Sequence, residues 1–197
     1  MNRTTAWALG IGLAAVLLAV VFTGRGTLAP DEIPDGLEGE PQVRLVRDAQ
    51  SGAVETMPME EYIQRVVGGE MGQLPSEGGE AQDWPDAAYQ AQAILARSFA
   101  LGFLSEEGTV NISADVLEAQ AYNPDNITRA IEQAVEATRG QVMVHDGEFV
   151  KAWFHSYSGG HTATAKEGLN YQEEEPGFIK TAEFEKDSRI PEEHRFW

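Results

Sequence analysis

The stretch VVGGEMG, residues 66–72, places one carboxylate, Glu70, beside two glycines and just after two valines. Upstream, Tyr62, Ile63, Val66 and Val67 fall at i, i+1, i+4 and i+5, the spacing of one apolar helical face. Four residues beyond Val66 comes Glu70, so that face ends in a carboxyl. A carboxyl enclosed by apolar side chains resists ionisation and holds a proton near neutral pH, as a general acid must. Gly68 and Gly69 each cost a helix interior about 1 kcal/mol relative to alanine. On the functional reading, their bare backbone leaves room for a bulky ligand to reach Glu70. The other reading is a frayed helix end, with the glycines opening a loop.

Two further groups of residues could carry chemistry. Arg97 sits inside an apolar helical pattern, where it either pairs with a buried carboxylate or orients a ligand carboxylate; alternatively its stem covers core surface while its head reaches water. The run FHSYSGGHT, residues 154–162, gathers His155, Ser156, Ser158, Gly159, Gly160 and His161 at the end of an expected strand. It is donor-rich and loosened by glycine, suited either to a polar ligand or to a tight polar turn. It is not the G-x-S-x-G of a nucleophile elbow, and two histidines without further ligands make a poor metal site. No P-loop, dinucleotide fingerprint or HExxH occurs.

Recognisable elements hold these residues. Residues 42–58 read as strand, Ser-Gly turn and returning strand. MEEYIQRVVGGEMG is a helix, followed by the glycine- and proline-punctuated GQLPSEGGEAQDWP. DAAYQAQAILARSFALGFL is a strong helix with Ala88, Ala91, Leu95 and Phe99 on one face. Residues 111–122 are ambiguous. NITRAIEQAVEATRG is an amphipathic helix, capped near Asn126 and ended by Gly140. QVMVHDGEFVKAWFHSYS reads as a hairpin about Asp-Gly, and the tail from Gly159 reads as loop. The expected fold class is α+β, with mixed helices and antiparallel hairpins in one domain.

The chain has 197 residues, of which 42% are hydrophobic, enough for a real core. With 32 acidic against 14 basic residues the formal net charge is -18, which argues against nucleic acid as a partner. Lys151, Lys166, Lys180 and Lys186 are the only lysines, and the absence of cysteine excludes disulfides and thiolate chemistry. Residues 6–23, AWALGIGLAAVLLAVVFT, carry no charge and are just long enough to span a bilayer. The expected layout is a cytoplasmic stub (1–5), a transmembrane anchor (6–23), a linker (24–41) and a body from 42 to 197. A cleaved signal peptide, which would leave the body secreted, is the rival to the anchor, and either one makes the body extracytoplasmic.

Four ordered motifs then stand together: MEEYIQRVVGGEMG, AYQAQAILARSFAL, LEAQAY and AVEATRGQVMVHDGEFVKAWFHSYSGGHT. In this order they resemble the stage II sporulation protein D / amidase-enhancer LytB family, over about residues 42–187. The resemblance implies a lytic transglycosylase acting on peptidoglycan glycan strands stripped of stem peptides, between N-acetylmuramic acid and N-acetylglucosamine. Glu70, the glutamate of the EM motif, is by position its catalytic acid. Gln92, Arg97, Gln120, Tyr122, His155, Ser156, Ser158, Gly159 and Gly160 match motif positions and are the implied substrate-binding residues. No cofactor is expected, and no zinc, because the position that carries cysteine in some members is Ser158 here.

The chain departs from the family pattern in several places. Met71 is followed by Gly72 rather than proline, Gln90 and Phe99 replace the usual lysine and tyrosine, and the connection from Gly72 to Ala91 is longer. Family domains normally continue beyond the last residue here, so the domain is expected to be incomplete. The alternatives to the enzyme are a non-catalytic partner of a cell-wall amidase and a glycan-binding module.

Overall fold

The computed structural model describes residues 39–48, 51–74, 80–155, 160–172 and 177–183. These group into two compact units, one ending at Ala152 and one beginning at Trp153. The expected anchor, 6–23, lies outside the described residues. Among the described residues no helix is long and apolar enough to cross a membrane.

In the first unit, β1 (Gln42–Asp48) and β2 (Ala53–Pro58) form the expected antiparallel hairpin. Gly52 supplies the positive φ that its turn requires. Val43 and Leu45 alternate into the core. Helix α1 (Met59–Glu70) follows β2 without a break, and α2 (Asp86–Leu101) begins immediately after Pro85. The chain then returns as β3 (Thr109–Ser113) on the free side of β1, giving the order β2-β1-β3. β3 runs parallel to β1, with Val43 opposite Val110 and Leu45 opposite Ile112. The sheet is therefore mixed and not built from antiparallel hairpins alone. Two helices lie between β2 and β3, which is enough chain for the crossover a parallel neighbour needs. β3 begins before the ambiguous stretch and buries only Val110 and Ile112, too short an alternation to identify a strand.

Thr128 caps α3 (Arg129–Ala137), its hydroxyl accepting from the Ile131 N–H at 3.3 Å; Asn126 has another task. Ile131, Ala134 and Val135 are buried as their spacing requires, and α2 packs against both α1 and α3. Of the expected face of α2, Phe99 is buried, Ala88 and Leu95 are half-buried and Ala91 is exposed; the most deeply buried apolar stripe is Tyr89, Ala93, Ala96 and Ala100, rotated by about one residue. Tyr89 and Arg97 both bond inward and set that rotation. β4 (Val144–His145) and β5 (Glu148–Phe149) make a hairpin of two pairs, shorter than expected, with Asp146 and Gly147 both at positive φ as a type I′ turn demands.

The second unit contains α4 (Ala165–Leu169), where the sequence reading expected loop. Thr164 and Glu167 form a reciprocal capping box, a signal legible as T-x-x-E. Trp153 meets the ring of Tyr171 edge-on at 5.1 Å.

A buried ion pair ties the first unit together. Arg97 donates from Nε to Glu60 Oε1 at 3.0 Å and from Nη2 to Glu60 Oε2 at 2.7 Å. Its Nη1 donates to the Gln141 carbonyl at 2.8 Å. Both side chains are almost wholly enclosed, at 3% and 6% exposure. The pair therefore links the first turn of α1, the end of α2 and the chain leaving α3. Removing one partner strands the other charge in the core, so Arg97→Ala should cost about 3–5 kcal/mol in denaturant unfolding. A Glu60→Leu/Arg97→Met double variant should recover most of that loss, and burial should leave the effect nearly independent of salt.

Candidate active site around Glu70

Glu70 is the last residue of α1, and the helix does not fray before it. Gly68 and Gly69 lie within the helix. Met71 and Gly72 close it by donating to the Val67 carbonyl at 3.0 and 3.3 Å. The space beside the glycines is filled by the chain itself. A Cβ on Gly69 would lie 2.7 Å from the backbone of Ala121 and Tyr122. One on Gly68 would lie 3.0 Å from the Asn123 carbonyl oxygen. The expectation that these glycines make room for a ligand is thus corrected: they seat the segment 120–126 against α1.

That seating completes the site. The Ala121 N–H donates to Glu70 Oε1 at 2.6 Å, a short charge-assisted bond when the carboxyl is ionised. The other oxygen, Oε2, has no hydrogen bond among the described residues. Burial pushes the Glu70 pKa above the usual carboxylate range, and the Ala121 N–H opposes this in part. The direction is the one expected from its apolar neighbours. Its place at the negative end of the α1 dipole also disfavours the anion.

Gln120 and Tyr122 flank Ala121. Gln120 is buried; its Oε1 accepts from the Tyr62 hydroxyl at 3.4 Å, and its Nε2 is enclosed without an acceptor among the described residues. The Tyr122 ring stacks on Tyr62 at 6.1 Å. Its hydroxyl accepts from Arg65, and the Arg47 guanidinium covers the ring at 4.9 Å. Glu55 balances both arginines, accepting from Arg65 at 2.7 Å and from Arg47 at 2.7 Å. Burial, followed by the neighbouring Tyr122 and Glu70, raises the Tyr62 phenol pKa.

The remaining candidates are distributed differently. Of the three roles the sequence left open for Arg97, the structure shows the first, pairing with a buried carboxylate. Gln92 lies half-buried on α2, its Nε2 enclosed with no acceptor among the described residues. His155, which is exposed, and Gly160 belong to the second unit. Ser156, Ser158 and Gly159 lie outside the described residues.

Sequence reasoning missed the Ala121 amide, since a backbone donor leaves no signal in residue types, and it missed Arg47 and Arg65. A shallow depression of about 380 Å³ between Arg44, Glu106, Glu107 and Asn111 contains none of these residues. The extended connection after Gly72 is stitched at its base. Leu74 and Gln82 pair as a short ladder, the Tyr89 hydroxyl donates to the Gly72 carbonyl at 2.7 Å, and Trp84 Nε1 donates to the Met71 carbonyl at 3.4 Å.

Two outcomes follow from this geometry. Helix propensity alone predicts that Gly69→Ala stabilises by about 1 kcal/mol. The clash with Ala121 reverses the sign, and unfolding should show a loss of about 1–3 kcal/mol. The raised pKa of Glu70 means that ionising it opposes folding: the associated stability is present at acid pH and lost as pH rises through the folded-state pKa. Denaturant unfolding at a series of pH values should therefore show Glu70→Gln gaining on the parent as pH rises from the ordinary carboxylate range upward.

A family model described as SpoIID, stage II sporulation protein, matches residues 47–145. An uncharacterized protein of Brachyspira hyodysenteriae (strain ATCC 49526 / WA1) is 30% identical over 116 residues, 57% of this chain and 29% of the relative. The chain thus spans less than a third of that relative's length. The family match includes α1 with Glu70 and the segment seated on it, and it stops short of His155 and Gly160. Because the matched span covers 99 of the 197 residues (47 to 145 inclusive), the chain belongs to the SpoIID stage II sporulation protein family, which is linked to sporulation and the cell wall.

Proposed function

We propose that this chain is a peptidoglycan lytic transglycosylase acting on peptide-stripped glycan strands, with Glu70 as its acid and base. The observation that carries the reading is the state of the Glu70 carboxyl. It is half-buried with a raised pKa, anchored through Oε1, and has Oε2 available to hold a proton. In this reading Glu70 protonates the glycosidic oxygen between N-acetylmuramic acid and N-acetylglucosamine, and positive charge develops at the muramic acid C1. The ionised carboxylate, held by the Ala121 N–H, then takes the proton of that sugar's 6-hydroxyl. The 6-oxygen closes onto C1, and the product ends in an anhydro ring. One carboxyl serves both steps, so no second carboxylate is required. Residues 6–23 anchor the chain, and the body works on the outer side of the membrane.

The test uses the full chain, peptide-free glycan strands and mass spectrometry of the products. Anhydro-muramic ends should form with the parent. Glu70→Gln should lower their rate of formation by roughly 10²–10⁴-fold. The carboxamide oxygen of that variant would still accept from the Ala121 N–H, so the fold should be retained. The parent rate should fall as pH rises through the Glu70 pKa, since the acid form is then lost. Strand binding without cleavage by either protein would refute the enzyme and favour the glycan-binding module; stimulation of an amidase without cleavage would favour the partner role.

A further inference from the structure

We propose that Asn126 is a positioning residue for Glu70: by holding the Gly68 carbonyl it keeps the Ala121 amide on Glu70 Oε1. The inference rests on the reading of Glu70 as the reacting carboxyl. Within the last turn of α1, the N–H groups of Met71 and Gly72 both go to Val67, which leaves the Gly68 carbonyl without a partner from its own helix. Asn126 Nδ2 supplies one, donating at 3.2 Å. Three residues earlier, the Asn123 N–H donates to the Arg65 carbonyl at 3.0 Å. Between these two points the chain makes a 3-10 turn, Pro124–Asn126, fixed by the Asn123 side chain accepting from the Asp125 N–H at 2.9 Å. The segment is thus clamped to α1 at both ends of a rigid turn, and Ala121 lies two residues before the nearer clamp.

The position of Asn126 speaks against a role in the core. Asn126 is an exposed residue overall, and α3 has its own cap in Thr128. The Asn126 bond to the carbonyl of the buried Gly68 is part-buried, and a single neutral hydrogen bond of this kind makes only a modest net contribution to folding. What it fixes is where the 120–126 segment rests on the bare face of Gly68 and Gly69. The 2.6 Å contact between Ala121 and Glu70 allows little slack, and small displacements of a reacting group lower rates steeply.

The test compares the parent with Asn126→Ala and with Asn126→Asp, which keeps the shape and removes the donor. In the labelled full chain, the Ala121 amide resonance should follow the titration of Glu70, and the amide should be protected from hydrogen exchange. In both variants that protection should fall by about tenfold or more, and the coupling to the Glu70 titration should weaken. On peptide-free strands kcat should fall about tenfold with KM unchanged. The Tm should drop by no more than about 4 °C. If the Ala121 resonance keeps its exchange rate and pH dependence in both variants, Asn126 does not position Glu70. If the parent does not cleave strands at all, the transglycosylase reading fails, and the amide measurement still decides the role of Asn126.

Discussion

The site depends on a backbone-to-backbone contact: the segment 120–126 rests on the last turn of α1 where Gly68 and Gly69 carry no side chains. Close approach of two chains is possible only where one of them lacks a Cβ, and at Gly69 the separation leaves no room for one. Two glycines weaken the helix, and in return they permit this close packing. Through it, an amide from a distant part of the chain reaches the carboxyl of Glu70. The same face of α1 meets the segment again at Tyr62, which stacks on Tyr122 and bonds Gln120, and at Arg65, which bonds both Tyr122 and the Asn123 amide.

Around this seat the structure separates two carboxylates of one helix by their environments. Glu60, in the first turn of α1, is buried yet faces the Arg97 guanidinium in bidentate geometry, at the helix end that favours negative charge. Glu70, at the opposite end, has a single backbone donor and no cation bonded to it among the described residues. Burial with a paired cation favours a charge held in place; burial without one favours a proton that can be given up and regained. The helix thus holds a carboxylate paired with a cation at its start and one without a cation at its end.

The acidity of the whole chain contrasts with the small cationic cluster beside the site. Arg47 and Arg65 cover and bond Tyr122, and Glu55 and Glu61 accept from them in turn. The cluster is balanced in charge, so its role is to fix the aromatic ring rather than to set up a long-range field. That ring lies next to Ala121 in sequence and packs on Tyr62, so it holds the seated segment to α1 at a second place beside the glycines.

Much of this was legible in residue order. The spacing of Tyr62, Ile63, Val66 and Val67 located α1 and directed Glu70 inward, because a 3.6-residue period leaves a carboxyl four residues after a buried valine on the same face. The β1–β2 hairpin, the amphipathic α3 and the four ordered motifs were likewise local patterns. Contacts between distant segments were not. The glycines read as open space because sequence does not show what lies against them. The parallel return of β3, the rotation of α2 and the choice among three roles for Arg97 all depended on partners far along the chain. So did the amide of Ala121, a donor every residue but proline possesses. Sequence by itself determined which residues could do chemistry and which faces turn inward, since both follow from side-chain type and local periodicity. Tertiary structure alone decided which carboxylate is paired with a cation and which is left with a single backbone donor, because that depends on what long-range packing brings within a hydrogen bond of each.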